Sequence, residues 1–218
     1  MKALIIGATG ATGTDLIQEL LEDASFESVH AFTRRPIGLA HPKFQEEIVD
    51  FDSPQSWRES LQGDVAFSCL GTTLKVAGGK EAQRKVDYQY QLDFATGCKE
   101  SNVPNFVLVS SYGANENSKF FYPKMKGELE QAVRSLHFEK LTVFQPGMLE
   151  RKKSDRVGEV WGAKFLNLAN RFKLLQSLKP LKTKTLAQAM VNSSKIKSSG
   201  ETFIKLGAIF SFAQKSAH

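Results

Sequence analysis

The sequence predicts an α/β fold built on a doubly wound parallel sheet with a short carboxyl-terminal lid. Three observations predict it. Apolar runs of strand length alternate with longer segments of helical period along the first two thirds of the chain. Such alternation places helices on both faces of a parallel sheet. A glycine-rich loop joins the first apolar run to the first helical segment, and a Ser-Ser pair closes a later run. Open sheets of this kind bind ligands at that carboxyl edge.

In chain order, residues 3–6 read as the first strand and residues 16–21 as the apolar face of the first helix. Residues 29–32 form the second strand. Residues 48–49 form the third, followed by a helical segment over 57–61. Residues 65–69 read as the fourth strand, 81–98 as a long helix, 106–109 as the fifth strand, 124–136 as a helix and 141–144 as the sixth strand. Beyond Pro146-Gly147 the pattern gives helices over 160–175 and 185–196, then a last strand over 202–206. At 218 residues, without repeats or a Gly/Ser linker, the chain reads as a single domain over residues 1–218, with residues 151–218 as a lid on its substrate side.

Composition narrows the classes. Hydrophobic residues at 41% and charged residues at 24% exclude a disordered or low-complexity chain. No apolar run approaches the roughly 18 to 20 residues of a membrane span. The short apolar start is too brief for a signal-peptide core, so the expected address is cytoplasmic. Cys69 and Cys98 lack metal-ligand spacing, and no metal is expected; free thiols fit a reducing compartment. His30, His41, His137 and His218 are scattered without a partner pattern. The net charge of +6 conceals a split: residues 1–150 carry −5 and residues 151–218 carry +11. That basic surplus is either a solvated face or a surface for an acidic partner.

The loop Gly7-Ala8-Thr9-Gly10-Ala11-Thr12-Gly13 follows the first strand directly. This placement is what pyrophosphate binding requires. Gly7 permits the tight turn, Gly10 lets the backbone approach the phosphates, and Gly13 brings helix and strand together while the helix N-terminus faces the anion. The fold is therefore of the Rossmann, NAD(P)-binding type. After the second strand the chain reads Thr33-Arg34-Arg35-Pro36, with no carboxylate to accept from a ribose 2′-hydroxyl. Two guanidiniums stand where a 2′-phosphate would lie, which favours NADP(H).

Tyr122 and Lys126 are four apart and share one helix face. Ser110-Ser111 ends the fifth strand at the ligand-binding edge. A neighbouring ammonium favours the tyrosine anion, so Lys126 brings the phenol of Tyr122 toward the working pH of a general acid. Phe120-Phe121 reads either as the wall of an apolar substrate pocket or as core.

These residues together resemble the short-chain dehydrogenases/reductases of the atypical Gly-x-x-Gly-x-x-Gly group. Ser110-Ser111-Tyr112-Gly113-Ala114, Tyr122-x-x-x-Lys126-Gly127-Glu128 and Phe144-Gln145-Pro146-Gly147 look like the human Tat-interacting oxidoreductase family and its bacterial relatives. The resemblance implies that Ser111, Tyr122 and Lys126 are a catalytic triad. It implies that Asp50 and Phe51 border the adenine, that Leu70 and Gly71 line the cofactor and that Pro146 and Gly147 flank the nicotinamide. The chain departs from many such reductases in one respect. Its long fourth helix offers Asp87, Tyr88 and Tyr90 where they place a relay Asn.

The expected function is NADPH-dependent reduction of a carbonyl on a small apolar substrate, by a monomer or homodimer. A second reading is an NADP(H)-binding redox sensor that acts through a partner, since fold does not fix function. A nucleotide-sugar epimerase is the third, and the short stretch after Glu150 leaves it little room.

Overall fold

A computed structural model describes residues 1–150 and 180–214, so the helix expected over 160–175 lies outside the described residues. In chain order the elements are β1 (Lys2–Ile6), α1 (Ala11–Glu22), β2 (Ser28–Thr33), β3 (Phe44–Ile48) and β4 (Val65–Ser68). There follow α2 (Leu74–Ala77), α3 (Lys80–Arg84), a π turn (Lys85–Gln89), α4 (Tyr90–Glu100), β5 (Asn105–Val109), α5 (Phe121–Arg134) and β6 (Lys140–Gln145). The chain then forms β7 (Leu149–Glu150), β8 (Leu181–Lys182), α6 (Thr183–Lys195), β9 (Gly200–Lys205) and α7 (Ala208–Gln214).

Seven strands pair in the order β3-β2-β1-β4-β5-β6-β9, every neighbour parallel. The strand order reverses between β1 and β4, the switch point where Rossmann sheets bind ligands. The central strands are buried on both faces, which is why they read as continuous apolar runs. Alternation along β1 sends Ala3 and Ile5 to the layer of α1 and α6, and Leu4 and Ile6 to the layer of α4 and α5. Leu16, Leu20, Leu186 and Met190 fill the first layer; Trp57, Phe94, Phe106 and Leu129 fill the second.

Several elements differ from expectation. The third strand is Phe44–Ile48, earlier than residues 48–49, because its Gln45-Glu46-Glu47 stretch carries the charges that suit an edge strand. The helix expected over 57–61 is two 3-10 turns, Pro54–Ser56 and Arg58–Ser60. Trp57 sits between them, its indole N–H donating to the Asp50 carbonyl at 3.0 Å. The long helix holds from Lys80 to Glu100 but is interrupted by the π turn. The apolar repeat of residues 208–214 is too short to announce α7.

Of the lid expected over residues 151–218, residues 180–214 are described, and they build onto the sheet's edge: β9 extends the sheet beside β6, from Lys140↔Gly200 to Gln145↔Lys205, and α6 packs on the layer of α1. Lys140 pins this addition. Its buried ammonium donates to Ser193 O at 2.6 Å, Ile196 O at 2.7 Å and Ser194 O at 3.3 Å, satisfying carbonyls at the end of α6.

Candidate active site

The loop from β1 to α1 is shaped by close approach. Gly7 has φ +80°, and a Cβ there would lie about 2.5 Å from Leu70 N. A Cβ on Gly13 would overlap the Gly7 carbonyl oxygen; one on Gly10 would stand 3.2 Å from it. Gly10 N–H donates to Gly7 O at 2.9 Å and closes the turn. No side chain caps α1 and no acid stands in its first turn, so the amides of Ala11, Thr12 and Gly13 carry the helix's positive end without a competing carboxylate. Thr9, Gly10 and Ala11 are exposed, whereas Thr12 and Gly13 are buried. A cradle that a Cβ would fill, at an uncapped helix start, fits a dinucleotide pyrophosphate.

One small pocket gathers the next residues. Gly7, Thr9, Arg34, Arg35, Phe51 and Leu70 line it together with Phe32 and Thr33. Arg34 and Arg35 are exposed directly after β2, and Thr33 Oγ1 donates to Arg35 O at 3.0 Å. Phe51 is buried and stacks on Tyr90 with ring centroids 5.3 Å apart. Asp50 and Gly71 do not line this pocket. The Asp50 carboxylate instead accepts from Asp52 N–H at 2.9 Å and Ser53 Oγ at 3.3 Å within its own turn.

The second group lies at the ends of β5 and β6. Ser110 N–H donates to Phe144 O at 2.8 Å and Tyr112 N–H to Pro146 O at 2.9 Å, which sets Ser111 beside Pro146 and Gly147. The Ser111 hydroxyl is half-buried and donates to Tyr112 O at 3.3 Å. Because α5 begins at Phe121, ahead of the expected residue 124, both Tyr122 and Lys126 are helical and one turn apart. Tyr122 is 38% exposed; Lys126 is 2% exposed, its Nζ 3.5 Å from Val109 O at the end of β5. Gly127 permits this seating: a Cβ there would overlap the Asn115-Glu116 backbone.

Two buried acids flank Lys126. Asp87, in the π turn, is 0% exposed, and accepts from Thr72 N–H at 2.7 Å and Gln83 Nε2 at 3.2 Å. Glu130 follows Lys126 by one turn and accepts from Gln145 Nε2 at 2.8 and 2.9 Å. Burial lowers the Lys126 ammonium below its ordinary range, opposed by the charges of Asp87 and Glu130. Burial likewise raises both acids, and Lys126 pulls each back toward ionisation. Burial pushes the Cys69 thiol up to about 12, so it is not a thiolate near neutral pH. Sequence reasoning noticed Asp87 and quoted Gln145 within a motif without giving it a role, and it missed Glu130; the four-residue step from Lys126 to Glu130 was the available signal.

Among the described residues no helix is long and apolar enough to cross a membrane, and no group of His, Cys, Asp or Glu could hold a metal ion. The glycine cradle at the switch point of a parallel sheet defines a dinucleotide-binding Rossmann protein. The chain belongs to the NAD(P)H-binding family, whose profile matches residues 7–164.

Protein HTATIP2 of Rattus norvegicus is 39% identical over 170 residues, covering 75% of this chain and 69% of that protein. Protein FMP52, mitochondrial, of Debaryomyces hansenii is 40% identical over 172 residues, covering 74% and 75%. These relatives agree with the resemblance read from the motifs. Among solved structures, MoeE5 in complex with UDP-glucuronic acid and NAD superposes with a TM-score of 0.72 at 16% identity, over 95% of this chain and 76% of that one. A short chain dehydrogenase from Burkholderia cenocepacia in complex with NADP gives 0.66 at 14% identity, over 98% and 91%. At such identities these two show the Rossmann fold alone.

Proposed function

We propose that the protein is an NADP(H)-dependent oxidoreductase of the short-chain dehydrogenase/reductase type, reducing a carbonyl of a small apolar substrate. The observation that carries this reading is the buried Lys126 one turn from Tyr122, against the strand end that bears Ser111. A solvated lysine on an amphipathic helix would need no such burial.

Bound NADP(H) would supply the hydride to a carbonyl carbon. The Ser111 hydroxyl donates a hydrogen bond to the substrate oxygen, and Tyr122 delivers the proton to it. Lys126 stabilises the phenolate that Tyr122 leaves and presents its ammonium to the ribose hydroxyls. Arg34 and Arg35 clamp the 2′-phosphate by charge-assisted contacts, with no acid in their turn. Support for an apolar substrate comes from Leu74, Val76, Tyr112, Phe120 and Met148, large side chains exposed in the segments that follow β4, β5 and β6. The +11 of residues 151–218 favours a second reading, a redox sensor whose basic surface meets an acidic partner.

A panel of ketones, aldehydes and quinones, followed by the absorbance of the reduced nicotinamide, separates the two. Steady NADPH consumption that Tyr122→Phe abolishes supports the enzyme. No consumption on any carbonyl, together with NADPH-dependent and salt-sensitive capture of a macromolecule, would replace it with the sensor.

A further inference from the structure

The proposed chemistry leaves Glu130 without a task. It is buried on the inner face of α5, one turn beyond Lys126, and both carboxylate oxygens accept from the Gln145 amide. Gln145 ends β6 and leads directly into Pro146-Gly147. Leu206 N–H donates to Gln145 O at 3.4 Å, and Tyr112 N–H holds Pro146 O at 2.9 Å. The Glu130–Gln145 pair therefore ties the helix that carries Tyr122 and Lys126 to the strand end on the other side of the same site.

A buried carboxylate is a poor choice for packing alone. An apolar side chain of similar volume often serves as well or better, because ionised groups lose hydration on burial. Polar or charged groups from several elements bear on Glu130: Gln145 from β6, Ser110 just after β5, Lys126 from α5 itself and Lys205 at the end of β9. Asp87 faces Lys126 from the π turn, where two donors already hold it. The buried ammonium thus feels the charge of one acid anchored to the loop after β4 and of another anchored to the end of β6.

We propose that Glu130 is a positioning residue for Lys126, tying the α5 face of Tyr122 and Lys126 to the Pro146-Gly147 end of β6. Its consequence for cofactor binding rests on the function proposed above. The tie itself does not.

The test uses the full chain and two readouts: a carbon NMR titration of the lysine ε-carbons, with Lys126 assigned through Lys126→Met, and NADPH affinity by fluorescence quenching. Glu130→Gln should lower the Lys126 midpoint by about one pH unit, the scale on which a close opposite charge acts. NADPH affinity should fall about tenfold in alkaline buffer, the factor one unit represents. Glu130→Asp keeps the charge and should restore most of the midpoint, while its shorter reach still weakens NADPH. A Glu130→Gln protein that melts earlier but keeps the parent's midpoint and affinity would make the residue mere packing and overturn the proposal. If Glu130→Gln does not fold, Glu130→Asp decides: weaker NADPH binding at an unchanged midpoint supports the tie, and no change in either overturns it. A parent protein that fails to bind NADPH would overturn the proposed function, and the Lys126 midpoint in Glu130→Gln would still decide whether Glu130 acts on Lys126.

Discussion

Gly13 lies so close to Gly7 that a methyl group on the first would overlap the carbonyl oxygen of the second. Backbone cannot yield there without parting α1 from β1. Gly13→Ala should therefore cost about 1–3 kcal/mol, the range for overpacking, and lower the melting temperature by several degrees. Gly10→Ala meets the same oxygen at 3.2 Å, which a small shift relieves. Its melting temperature should stay near the parent's, while the rise caused by NADPH shrinks because the methyl stands where phosphate approaches. Thermal melts with and without NADPH compare the two; a Gly10→Ala protein stabilised by NADPH as fully as the parent would remove Gly10 from the phosphate site.

Cofactor choice rests on Arg34 and Arg35, both exposed beside the pocket that Phe51 and Leu70 line. NADPH should raise the melting temperature more than NADH at equal concentration, since only the 2′-phosphate engages the guanidiniums. Arg34→Ala should erase most of the difference. Equal shifts in the native protein would show that the pair is an ordinary basic surface.

Tyr122 and Lys126 should separate in their effects. Tyr122→Phe keeps the ring and removes the proton, so NADPH binding should persist while turnover drops by about 10²- to 10⁴-fold. Lys126→Met removes a ribose contact as well as the charge, and both binding and turnover should suffer. Full activity in Tyr122→Phe on any reduced carbonyl would dismiss the phenol as proton donor.

Asp23 predicts a response to acid. Burial alone would raise its carboxyl, but the Lys195 ammonium at 2.6 Å and the Ser25 amide outweigh it and hold the group below its ordinary value of 3.8. A depressed folded-state value means that the unfolded chain takes up the proton first. The contribution is present above that ordinary value and is lost as pH falls through the lower folded one. Melting temperature plotted against pH should fall more steeply below about pH 4 in the parent than in Asp23→Asn. Parallel curves for the two proteins would show that the pair between α1 and α6 is energetically idle.

The parts of the molecule that could be read from the sequence are those whose signal is contiguous. Gly7, Gly10 and Gly13 fall within seven residues between an apolar run and a helix, so order alone announces them. The buried strands announce themselves too, because burial on both faces leaves no polar interruption. Phe44–Ile48 was misplaced because an edge strand tolerates Glu46 and Glu47. Trp57 pointed to a helix, yet its burial is served by two 3-10 turns and a bond to Asp50. The setting of Lys126 was least legible. Asp87 acts on it from the π turn and Gln145 reaches it only through Glu130, so beyond the four-residue step to Glu130 no local spacing encodes that these groups are buried together.

The protection of β6 is delegated to β9. All six residues of β6 are buried, whereas β9 is exposed at every position except Ile204. Glu201 and Lys205 lie along the outer strand, with Gly200 at its start. Charge and glycine make it a poor template for recruiting another chain. A truncated product ending before Gly200 would instead present Leu141, Val143 and Phe144 on an open ladder, a ready seed for intermolecular β-pairing and aggregation. Proteolytic loss or premature termination there would thus threaten colloidal behaviour, even though β9 contributes no side chain to the proposed chemistry.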